Sequence, residues 1–169
     1  MEIFYEGKGA FTLLGSRSVS IDGRAADIAL FTSRQKSTTM KLNGPGEYEV
    51  RGVLVTTVDV SDTLVHAITL DDIAVVHIAA GTPLTERDIA SVGRADVLLV
   101  RADDPRTAGA VIADLAPRVV IPFGEHSHKI AASCGLKDLE PRRSFSWNGM
   151  AAAPKAVLLK EGSVRRRAA

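Results

Sequence analysis

Four histidines, one cysteine and a few serine–lysine and carboxylate spacings are the chain's candidates for chemistry. His126-Ser127-His128 is the one histidine pair at short spacing. In an extended segment, residues i and i+2 project to one side, so both imidazoles would face a single metal ion. No third ligand is read in the local sequence, and the plain reading is a polar loop capping a helix that starts near Lys129. Ser33-Arg34-Gln35-Lys36 has the spacing of a serine nucleophile activated by lysine one helical turn on. That chemistry also needs partner motifs that do not occur here. Ser127 lies between two histidines but lacks a carboxylate to orient either ring. Cys134 sits in a small apolar stretch, where packing is expected rather than reactivity. Glu47 and Glu49 alternate onto one face of a strand. His77, in an apolar run, is expected to be a hydrogen-bonded core residue, and His66 a strand residue with no special role. Arg165-Arg166-Arg167 is a terminal basic triplet without interleaved aromatics, as in a solvated tail.

Composition bounds what these residues can serve. The 169 residues suit one domain large enough for a full core. Hydrophobic residues make up 46% and charged residues 24%, which argues for a globular chain and against disorder. With 21 basic and 20 acidic residues the formal charge is +1, so no global field attracts nucleic acid or an anionic membrane. A single cysteine excludes an intramolecular disulfide and a multi-cysteine zinc cluster. The start lacks a basic region followed by an apolar stretch, and no apolar run approaches the ~20 residues that span a bilayer. A cytoplasmic protein is expected, with no membrane partner and nucleic acid an unlikely one.

The elements that must position any site follow from turn signals and periodicity. Short strands are expected at Phe11 to Leu14 and Val19 to Ile21, reversing near Gly15-Ser16, and at Ile28 to Phe31, buried on both faces. Gly44-Pro45-Gly46 is a turn. Tyr48 to Val50 and Val53 to Val60 pivot at Arg51-Gly52, and Thr63 to Leu70 and Ile73 to Ile78 form a hairpin through Asp71-Asp72. From residue 81 the rhythm becomes strand–helix. A helix opens at Thr82 to Asp88, a strand covers Val97 to Val100, and a helix covers Pro105 to Leu115. A strand at Val119 to Phe123 and a short helix over Lys129 to Cys134 follow. Val157 to Leu159 is a candidate edge strand. The expected organisation is one domain over 1–162 and a basic flexible tail over 163–169.

Several segments together resemble the metallo-β-lactamase fold, in its compact L-ascorbate-6-phosphate lactonase-like branch. They include Met1 to Phe11, Ala26 to Thr32, and Gly44-Pro45-Gly46-Glu47-Tyr48-Glu49-Val50-Arg51-Gly52-Val53, the most specific of them. Val75 to Ile78, Pro83 to Thr85, Ala95 to Val100 and Val119 to Pro122 follow in family order. The resemblance implies an α/β architecture: an αββα sandwich of two mixed β-sheets with helices outside and one or two metals at one edge.

The resemblance also implies a His-x-His-x-Asp-His loop directly after Thr32, where neutral imidazoles and carboxylates would hold zinc and ionise a bound water. This chain has Ser33, Gln35, Ser37 and Thr38 at those four ligand positions, with Arg34 and Lys36 between. Neutral hydroxyls and amides are poor zinc ligands, and the two cations repel a metal. Lys8 replaces a first-turn histidine, Ala80 stands where a bridging aspartate would follow, and Gly124 lies where another histidine is expected. Only about a dozen residues separate Thr32 from Gly44, so the helix that follows the metal loop is expected to be missing or reduced to a turn. Few outer helices then remain, and a second copy of the chain is expected over the uncovered face.

The first expectation is therefore a catalytically silent metallo-β-lactamase-fold protein, without zinc, acting as a binding or interaction module and homo-oligomeric. Its degenerate cleft at Lys8, Ser33, Gln35, Ser37, Thr38, Ala80 and Gly124 would receive a small polar or anionic ligand. The alternative is a hydrolase, zinc-dependent through His126 and His128 or metal-free through Ser33. A third reading is weak nucleic-acid binding by the arginine tail.

Overall fold

The structure, a computed structural model, describes residues 1–23, 26–33, 44–79, 83–136, 140–149 and 155–162. The first strands are β1 (Glu2–Gly7), β2 (Ala10–Leu14), β3 (Ser18–Ile21) and β4 (Ile28–Leu30). They are followed by β5 (Gly46–Val50), β6 (Val53–Val60), β7 (Thr63–Leu70) and β8 (Ile73–Ile78). The chain then alternates: α1 (Glu86–Val92), β9 (Val97–Arg101), α2 (Pro105–Leu115), β10 (Val119–Phe123), α3 (Ser127–Ser133) and β11 (Phe145–Ser146).

Two mixed sheets result, of order β11-β1-β2-β3-β4 and β10-β9-β8-β7-β6-β5. Tight two-residue reversals set the hairpin registers. Lys8-Gly9, Arg51-Gly52, Ser61-Asp62 and Asp71-Asp72 all have positive φ at both positions, the backbone that matches strand twist. Between the strands of the described residues, parallel pairing joins β3 to β4 and β8 to β9 to β10, and helices supply the crossovers of the second group.

Period-two alternation places the core in two layers. Ile3, Phe11, Leu13, Val19 and Ile21 of the first sheet meet Val55, Ile68, Val75, Leu99 and Ile121 of the second, all essentially buried. The opposite face of the second sheet packs Val65, Val76, Leu98 and Val100 against Val92, Val111, Leu115 and Ile130 of the helices. The described helices therefore cover one outer face only. The sandwich and its scarcity of helices agree with the sequence reading. Residues 34–43, where the shortened helix was expected, lie outside the described residues. The centre of the first sheet's outer face is buried, with Thr12 8% and Ser20 1% exposed.

Local chemistry sets the helix ends. The first helix begins at Glu86, not at residue 82, because Thr85 and Asp88 form a reciprocal capping box. Asp104 caps α2 and Pro105 occupies its first turn. Other boundaries also differ from expectation. The third helix starts at Ser127, and Val157 to Leu159 makes only isolated bridges, since Ala156 alone pairs beside Val120 and Leu159 beside Arg142. In β4, Ile28 and Leu30 are buried but Ala29 is only half-buried. No helix among the described residues is long and apolar enough to cross a membrane.

Candidate functional site

Four segments end at one edge of the sandwich: the Lys8-Gly9 turn, Thr32-Ser33 after β4, Ala79 after β8, and Gly124 after β10. Lys8 is exposed on its positive-φ turn. Gly9 faces the other sheet, and a Cβ there would lie 3.4 Å from the Phe123 ring. Ser33 is exposed, and the residue before it is anchored: the Thr32 amide and hydroxyl both donate to the Asp22 carboxylate. Thr32 also ties the sheets, its carbonyl accepting the Leu64 amide at 2.9 Å. Gln35, Ser37, Thr38 and Ala80, with Arg34 and Lys36, lie outside the described residues, as does the Arg165–Arg167 tail.

Beneath this edge the space between the sheets is filled by rings. Phe123 stacks on His77 at 5.5 Å with the planes 7° apart, and Phe11 meets His77 edge-on at 5.6 Å. Phe11 and Phe123 meet at 5.2 Å, and Tyr5 packs on Phe11 at 5.0 Å. Offset and edge-to-face contacts of this kind add to simple burial.

Two histidines are embedded in the same layer. His66 and His77 are register partners on β7 and β8, so their side chains share the inward face. Both are fully buried. The His66 Nε2–H donates to the Phe31 carbonyl at 3.1 Å, which leaves Nδ1 to accept from the Thr57 hydroxyl at 3.0 Å. The His77 Nε2–H donates to the Gly9 carbonyl at 3.3 Å, and its Nδ1 has no partner among the described residues. These tautomers follow from the partners, since a carbonyl can only accept. Burial pushes the pKa of His66 down to about 4, against smaller raising effects of the Phe31 bond and the Asp22 charge. Burial and then the His66 neighbour push His77 down to about 3. His77 is the core histidine expected from the sequence. His66, read as a residue with no special role, instead holds the sheets together.

Two further residues at the edge were not singled out by motif. Arg101 ends β9 on the inward-facing parity of Val97 and Leu99, in register with Phe123. Its Nε is paired to the Asp103 carboxylate. The other Asp103 oxygen accepts the Glu125 amide at 3.0 Å. Burial pushes the Asp103 pKa up, but Arg101, the Glu125 amide and the His126 charge outweigh it and hold the carboxyl below its ordinary value. The available signal was the alternation Val97, Leu99, Arg101, which brings a cation onto the inner face of a buried strand.

His126 and His128 are not arranged as an extended pair. His126 is the N-cap of α3 without a side-chain cap bond, and His128 lies within the helix, exposed. On a helix, residues two apart point away from each other. Cys134 is half-buried, and burial raises its thiol pKa, consistent with packing.

No family model matches the chain. No curated protein matches it either. Solved structures resemble it. A proposed Zn-dependent hydrolase of the metallo-β-lactamase superfamily from Thermotoga maritima is 22% identical, with a TM-score of 0.77 over 94% of this chain and 98% of the other. YhfI from Bacillus subtilis, a metallo-β-lactamase fold protein, is 10% identical with a TM-score of 0.56 over 94% and 96%. CmlA from Streptomyces venezuelae, a diiron β-hydroxylase, is 10% identical with a TM-score of 0.51 over 74% of this chain and 45% of that one. The chain has the metallo-β-lactamase fold.

A metallo-β-lactamase fold raises the question of whether these residues suit a metal. They do not. Lys8, Ser33, Gln35, Ser37, Thr38, Ala80 and Gly124 offer neither imidazole nor carboxylate. Among the described residues, no group of three or more histidines, cysteines, aspartates or glutamates could hold a metal ion. The two buried imidazoles in the metallo-β-lactamase sandwich have their Nε2 atoms committed to backbone carbonyls of the opposite sheet.

Proposed function

We propose that this protein is a metal-free member of the metallo-β-lactamase fold, of the compact lactonase-like branch, that has kept the sandwich as a binding module. The observation that carries the reading is the His77–Phe123 stack at the strand ends. One imidazole there is sealed between aromatic rings and bonded to Gly9, so neither its position nor its basicity suits a ligand exposed to solvent. Neutral or cationic side chains at the expected ligand positions support the same reading. So does Arg101, a charge that disfavours a cation in the mouth of the cleft.

The ligand-binding face is the edge formed by Lys8, Ser33 and Gly124, and a second copy of the chain is part of the proposal. Zinc titration followed by calorimetry tests the metal-free reading. The expected result is no saturable uptake at micromolar protein, and a stoichiometric isotherm with submicromolar affinity would overturn it. Analytical ultracentrifugation tests the assembly, for which a monomeric mass at micromolar concentration counts against a second copy.

A further inference from the structure

We propose that Arg101, held by Asp103, is the anion-binding residue of this edge, and that its ligand carries a carboxylate or phosphate group. The inference rests on the metal-free reading above. Arg101 stands on the inward parity of β9, yet half of its side chain is exposed, 51%, so its guanidinium lies at the mouth rather than in the core. Asp103 engages Nε alone. Among the described residues the two terminal nitrogens have no partner, which leaves the outer edge of the planar fork open for two parallel hydrogen bonds to an oxyanion.

Asp103 is itself fixed. Its second oxygen takes the Glu125 amide, and the Ala102 and His126 amides tie the same two segments through Phe123 O at 2.7 Å and Ala102 O at 3.2 Å. The carboxylate therefore orients the guanidinium from a braced loop pair. Beside Arg101, in register, lies Phe123, whose ring is met by Gly9 of the opposite sheet. The exposed Lys8 precedes that glycine, so a second cation borders the same mouth over an apolar floor. An anion with a small apolar body fits this combination of fork, ammonium and ring. A bare metal cation does not.

The test is titration of the full chain with inorganic phosphate and, separately, with benzoate, followed by amide chemical shifts. The two arms separate a phosphate ligand from a carboxylate one. Saturable shifts should centre on Arg101–Asp103, Gly124–Glu125 and Lys8–Gly9. Arg101→Gln should weaken binding at least tenfold, and Arg101→Lys nearly as much, because the charge remains but the fork is lost. Lys8→Gln should weaken it less than threefold. Unchanged melting temperatures in all three variants separate loss of binding from loss of fold.

Equal affinity in wild type and Arg101→Gln, or shifts elsewhere on the surface, overturns the inference. If Arg101→Lys binds as wild type, recognition by the fork is wrong. Zinc measured on the same samples distinguishes the two levels: metal-free protein that binds neither anion refutes only this inference. Stoichiometric zinc refutes the reading beneath it.

Discussion

His66 and His77 stand side by side in register on the second sheet, and each reaches across the sandwich to a backbone carbonyl of the first. Their targets, Phe31 and Gly9, lie in the two segments that lead to Ser33 and follow Lys8. The polar bonds that close this edge are therefore made by protein atoms, and burial, not these bonds, keeps both rings neutral.

Acid should loosen the protein in a defined window. Well above pH 6.5 both rings are neutral in the folded and unfolded chain, so their contribution is fully present. Below it, the unfolded chain binds two protons that the fold resists until about pH 4 at His66 and about pH 3 at His77. Stability therefore falls as pH falls from 6.5 toward 3, by roughly 3 kcal/mol for His66 and roughly 5 kcal/mol for His77 if each shift is fully expressed. Urea denaturation at half-unit pH steps checks this. Flat stability between pH 6.5 and 4 would contradict it.

His77→Phe isolates one ring. The substitution preserves an aromatic partner for Phe123 and removes the Nδ1 that lacks a described partner, while the Gly9 carbonyl loses its donor. The two effects oppose, so stability at pH 7 should change by no more than about 2 kcal/mol. The acid slope should fall to roughly half, and an unchanged slope would show that His77 is not the titrating group.

Much of this frame was legible in the sequence. Two-residue turns such as Arg51-Gly52 and Asp71-Asp72 mark hairpins because their backbone must be left-handed, and few residue types accept it. Buried strands such as Val119 to Phe123 read directly from continuous apolar runs. The pairing of His66 with His77 was not legible, because register between β7 and β8 decides which residues meet. The strand was expected to end at Val100, one residue before Arg101, so its inward parity went unused. The histidine pair at 126 and 128 reads in sequence as a polar loop capping a helix near Lys129, with an extended metal pair as the alternative; the helix begins two residues earlier, at Ser127, with His126 as its N-cap.

Phe123→Ala should be the costliest single truncation at the edge. The ring is 5% exposed and touches Tyr5, Phe11 and His77. Loss of so large a buried side chain leaves a cavity and costs about 3–5 kcal/mol. Equilibrium denaturation gives the value, and a loss below about 1 kcal/mol would mean that the rings do not seal the edge.

Gly124→Ala should damage the site more than the fold. Its φ is +94°, and a Cβ would lie 2.2 Å from an Asp103 carboxylate oxygen. The backbone strain costs about 1–3 kcal/mol. Asp103 must also turn from the Glu125 amide, which frees Arg101 from its orientation. Phosphate affinity should therefore fall along with the melting temperature, and intact affinity at lowered stability would uncouple Asp103 from the anion site.

Elemental analysis of protein purified without chelator tests the metal-free account most directly. Well under one zinc or iron per chain is expected, with a melting temperature that chelator does not move. One metal per chain, lost when His126 and His128 are replaced by alanine, would contradict the account.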